Sequence, residues 1–285
     1  MHFESASVSG GTLSTVGTGR LVNASANNYS GITLSNSSVF DLNNNTSATF
    51  VGTFANEGTV NLLSAGNLTD FIAGTGGATL QGGGTIVLGN NANNRIYGIT
   101  GSTTLVNQNN TLRGVGQIGV NQLQLDNRGL IEASVANGTL TLDTSGTSAV
   151  NSNTGTLQAA NGGILRIESS ALNNSGGTLH AATGSRVDLS NSTISGGSLT
   201  TAGTGVIRTV SGGSTLGGAL TIASGAQLTI ENNTSLTLLA SGTYANSGTV
   251  SFASAGNFTD LIATGADVTI SAGCTLALGP HTNNR

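Results

Sequence analysis

Apolar and polar residues alternate in short runs along most of this chain. Thr178-Leu179-His180-Ala181 and Arg186-Val187-Asp188-Leu189 each turn every second side chain to one face, and Gly, Ser and Asn separate such runs. Period-two patterning bounded by turn residues predicts β-strands. No window offers the i, i+3, i+4, i+7 spacing of an amphipathic helix.

The runs recur. Aligning the middle of the chain on itself makes Leu157, Leu179, Leu199 and Leu220 equivalent, at steps of 22, 20 and 21 residues, each just after a Gly-Thr, Gly-Ser or Gly-Ala pair. Eight residues on comes a second apolar column, Leu165, Val187, Ile207 and Leu228, and a weaker third follows at Leu172, Ile194 and Leu216. A period of this size means a solenoid. Three short strands per coil predict an all-β fold: a single-stranded parallel β-helix of about 20–22 residues per coil, roughly triangular, right-handed by the default of parallel crossovers. About thirteen coils at a spacing of ~4.8 Å would make a rod of roughly 60–65 Å. Gly and Asn are expected at corners that need positive φ. The same register stacks Arg166, Asp188 and Arg208 on successive coils, facing solvent. Such an alternating-charge ladder stabilises by mutual neutralisation, about 0.2–1 kcal/mol a pair, or holds a carboxylate between two arginines for binding.

A longer repeat lies over the short one. Thr53 to Arg95 aligns without gaps on Thr243 to Arg285, pairing Ser64-Ala65-Gly66-Asn67 with Ser254-Ala255-Gly256-Asn257, Asp70 with Asp260, and Asn93-Asn94-Arg95 with Asn283-Asn284-Arg285. Residues 1–285 thus read as one continuous β-solenoid, with one module copy over 8–193 and a partial second copy over 194–285. Neither end carries an evident cap, which suggests either a piece of a longer array or a subunit whose ends meet other subunits.

Composition narrows the function. Charged residues are 7% of the 285, all eight basic residues are Arg, and the net charge is -4. No basic patch forms, so binding to nucleic acid by phosphate neutralisation is not expected. No apolar run reaches the length of a membrane span. The single cysteine, Cys274, matches Gly84 of the first module and reads as an accidental small residue. It excludes an internal disulfide framework.

Parallel β-helices include polysaccharide lyases and hydrolases, whose chemistry needs paired carboxylates or a base with a cationic partner. The twelve acids are scattered instead, and Asp70 and Asp260 read as turn-stabilising residues. His2, His180 and His281 lie far apart, with His180 outward and equivalent to Gln158. The aromatics fall at equivalent module positions (Phe40 with Leu228, Phe54 with Tyr244, Leu62 with Phe252, Leu68 with Phe258), which suits core or corner stacking. Thr139-Leu140-Thr141 has the local form of an ice-binding strand, but the following coils carry a mixed column. An active site would interrupt the repeat once. The least repetitive stretch, residues 96–150, therefore makes Tyr97, Arg113, Asp126 and Arg128 the place to look for catalysis. No catalytic, cofactor or metal site is expected.

Runs such as Leu123-Gln124-Leu125-Asp126-Asn127-Arg128-Gly129-Leu130-Ile131-Glu132-Ala133 and Asn153-Thr154-Gly155-Thr156-Leu157-Gln158-Ala159 resemble the β-helical repeats of large bacterial surface proteins, the autotransporter passengers and filamentous-haemagglutinin-like adhesins. That resemblance covers nearly the whole chain and carries no catalytic motif. It implies an extracellular or cell-surface stalk or adhesive segment. The alternatives are a filament subunit stacking on itself end to end, and a carbohydrate-binding or carbohydrate-active β-helix meeting host or surface glycans.

Overall fold

The computed structural model describes residues 1–240, 243–265, 268–270 and 273–285. Asp267, one of the twelve acids, lies outside the described residues. Among the described residues there is no helix, and every described strand pairing is parallel. The chain is a β-solenoid of about 12 turns with roughly 22 residues per turn, one fewer than the sequence period suggested.

Contacts divide the chain into two compact units. The first comprises 1–133 with 138–146, the second 134–137 with 147–285. Neither boundary matches the module joint at 193/194, because packing follows coils whereas the repeat follows duplication.

In the second unit a turn runs through Thr178–Ala181, Arg186–Ser190 and the start of Thr193–Thr201, three strands separated by tight corners. The predicted core columns stand there. Leu157 pairs with Leu179 and Leu179 with Leu199, while Leu165, Val187, Ile207 and Leu228 form an unbroken column. All seven are at most 1% exposed, each contributing about 1.5–3 kcal/mol by burial.

Leu220 is the exception to the expected register. It is buried, but its partner is Gly197, and Ile222 stacks on Leu199 instead. Ser195 pairs with Gly217 and Gly197 with Leu220, so the corner around Gly218 holds one extra residue, and the step to the next coil is longer than the sequence spacing implied.

In the first unit the coils vary more. Thr85 pairs with Thr59 on one side and Thr111 on the other, 26 residues away in each direction, yet Thr111 pairs with Leu130, only 19 away. The extra residues form corners, and the inward positions stay in register. Aromatic rings fill this interior: Phe50 stacks on Phe71 at 4.1 Å and on Phe54 at 4.7 Å, with Tyr29 beyond at 5.1 Å.

Asparagines do two jobs, of which the sequence pattern exposed one. Asn45, Asn121, Asn137, Asn161, Asn191 and Asn233 hold positive φ at corners, as expected. A second set points inward and is fully buried. Asn107 Oδ1 accepts from the Asn110 amide at 3.0 Å, while its Nδ2 donates to Asn110 O at 3.0 Å and to Asn127 Oδ1 at 2.8 Å. Asn153 Nδ2 donates to Asn174 Oδ1 at 2.7 Å in the same manner. A corner turns backbone groups inward where no ladder partner exists, and an amide side chain supplies both donor and acceptor. This accounts for Gly177 and Gly197: a Cβ on Gly177 would stand 2.3 Å from Asn153 O and 2.5 Å from its Nδ2, and one on Gly197 would meet the same two groups of Asn174.

Candidate functional site

The polar structure that the fold builds most completely lies outside the expected ladder. Within the first unit, Ser64-Ala65-Gly66-Asn67 makes a tight corner in which Ser64 Oγ donates to Asn67 O at 2.6 Å and accepts from the Gly66 amide at 3.3 Å. The preceding coil supplies Asn44, whose Oδ1 accepts from the Ala65 and Asn67 amides at 2.7 and 3.1 Å. The following coil supplies three consecutive residues. Asn93 Nδ2 donates to Gly66 O at 2.7 Å. Buried Asn94 accepts from the Ser64 amide at 3.0 Å and donates to Gly89 O and Asn91 O, both at 2.9 Å. Arg95 forks onto Asp70, Nε to Oδ1 at 2.8 Å and Nη2 to Oδ2 at 2.7 Å.

Bidentate geometry of this kind is the strong form of an ion pair. The hydrogen bonds to Asp70 raise the Arg95 guanidinium above its ordinary value, against the lowering effect of burial. Tyr97, two residues along on the same face, donates from its hydroxyl to Asp70 Oδ2 at 3.3 Å. Burial and then the Asp70 charge push that phenol up.

The second unit repeats the corner bond for bond. Ser254 Oγ donates to Asn257 O at 2.7 Å and accepts from Gly256, Asn232 Oδ1 accepts from Ala255 and Asn257, and Asn283 Nδ2 donates to Gly256 O at 2.6 Å. Asn284 accepts from the Ser254 amide at 3.2 Å and donates to Gly279 O and His281 O. Arg285 forks onto Asp260 at 2.8 and 2.9 Å. Asp70 and Asp260 are therefore ion-paired residues of an inter-coil clamp, a larger role than the turn stabilisation expected of them. Asn44 and Asn232 lie upstream of the gapless alignment that starts at Thr53, so sequence comparison missed them.

The alternating ladder is present in register and differs in contact. Arg166 pairs with Asp188 and Asp188 with Arg208 across the strands. Asp188 is nevertheless 6% exposed rather than solvent-facing, and it is held by Arg208 Nε at 2.7 Å and Arg186 Nε at 3.2 Å. Arg166 turns instead to Glu168 at 3.2 Å. Residues two apart on one strand share a face, so Arg186 and Glu168 compete with the cross-strand neighbours that the ladder considered. Arg208 also reaches Glu231 at 3.1 Å. Burial lowers its guanidinium, and the bonds and charges of Asp188 and Glu231 outweigh that to leave it raised.

Of the four residues marked in the less repetitive stretch, Tyr97 joins the Asp70–Arg95 fork. Arg128 folds back on Asp126, Nε to Oδ2 at 3.1 Å, and Arg113 lies in register with Glu132 on another face. His180 stands between Gln158 and Thr200, its Nδ1 2.7 Å from Thr200 Oγ1. Cys274 is a free, half-buried thiol. Phe54, Tyr244, Leu62 and Phe252 are buried as expected of core aromatics and their equivalents, but Leu68 and Phe258 are 44% and 55% exposed at the tip of the clamp.

The chain matches no family model and no curated protein sequence.

Beside the first clamp is an open recess of about 200 Å³ lined by Ala26, Asn45, Thr46, Ser47, Leu68 and Asp70. Among the described residues no group of three His, Cys, Asp or Glu side chains is placed to hold a metal ion.

Proposed function

We propose that this chain is a structural or adhesive segment of a large exported bacterial surface protein, with no catalysis of its own. One observation carries the reading: the chain duplicates its polar clamp bond for bond, along with the core positions around it. A catalytic centre is a single interruption of a repeat, whereas a segment that spaces or displays is served by repeating everything. The carboxylates Asp70, Asp260 and Asp188 are each engaged by arginine, an arrangement that locks coils together rather than leaving a base to take a proton. The same repetition suits life in an extended surface array, in which each coil is stabilised by its neighbours alone.

The test is to incubate the purified chain with a panel of bacterial and host polysaccharides while following its size in solution across a concentration series. A species of constant size that releases neither new reducing ends nor unsaturated products agrees with the proposal. Turnover of any polysaccharide overturns it in favour of a carbohydrate-active β-helix. Fibres of uniform width that lengthen with concentration would transfer the role to self-assembly.

A further inference from the structure

No further inference is drawn: the strongest candidate, the apolar face that Leu276 and Leu278 expose on the strand Thr275–Leu278, carries nothing because nothing in the structure shows what covers it.

Discussion

The two clamps share every hydrogen bond of the corner and differ in what surrounds them. In the first, Asn94 is completely buried and Arg95 is 19% exposed, with Tyr97 beside it. In the second, Asn284 is half-buried and Arg285 is 53% exposed, over Phe258. The same short motif thus dictates the same geometry in a closed and in an open setting. Geometry is written locally, and energy is set by the coils on either side, since a charged fork gains strength as solvent is excluded.

The largest test of that contrast is Asn94→Ala. It removes the side-chain partner of the Ser64 amide and of two carbonyls at a corner where Asn94 itself is completely buried, and should cost about 2–4 kcal/mol. Asn284→Ala should cost clearly less. Native-state hydrogen exchange at the Ser64 and Ser254 amides reads both, and equal losses would sink the argument from burial.

Next is Arg95→Ala, expected to cost about 1.5–3 kcal/mol because Asp70 is left largely buried without its charge-assisted bonds. Arg285→Ala should disturb its corner less. Arg95→Lys should recover only part of the loss, as an ammonium cannot fork. Full recovery by lysine in a melting experiment would mean that charge alone matters.

Phe258→Leu gives the second corner the residue that the first carries at Leu68. Only the cation–π contact with Arg285 is removed, so the change should stay within about 0.5–1 kcal/mol.

The smallest difference concerns alkali. The Tyr97 phenol is raised by burial and by Asp70, so its contribution is fully present below the unfolded value of about 10 and is lost as pH rises through the higher folded value. Melting temperatures of the wild type and Tyr97→Phe should converge as pH climbs. Tyr29 and Tyr244, both raised by burial, leave a residual alkaline decline in the variant. A decline wholly abolished by Tyr97→Phe would contradict this.

Periodicity made the solenoid readable because inward positions in a narrow interior must be apolar, so Leu165, Val187, Ile207 and Leu228 announce themselves. It misled wherever a corner changes length. The corner near Gly218 displaced Leu220 from its column by two positions, so that Ile222 stacks on Leu199. The long coils of the first unit hid the clamp, since Asp70 and Arg95 are register partners 25 residues apart, beyond the 20–22 read from the middle of the chain. The module repeat did contain the signal: Asp and Arg were both retained in both copies, a pairing that inter-coil register alone explains. The inward asparagines could not be separated by pattern from those at corners, because asparagine is abundant throughout the chain and both sets stand at strand ends.

Ser64 and Arg95 bound nearly every side chain of the clamp, with Asn44 supplied by the preceding coil. A tandem duplication of the underlying DNA therefore transmits a working latch in one event, provided that its breakpoints fall outside this stretch. Lineages that lengthen such a gene by recombination between copies inherit pre-matched halves, and mutations that spoil one latch can be repaired from the other.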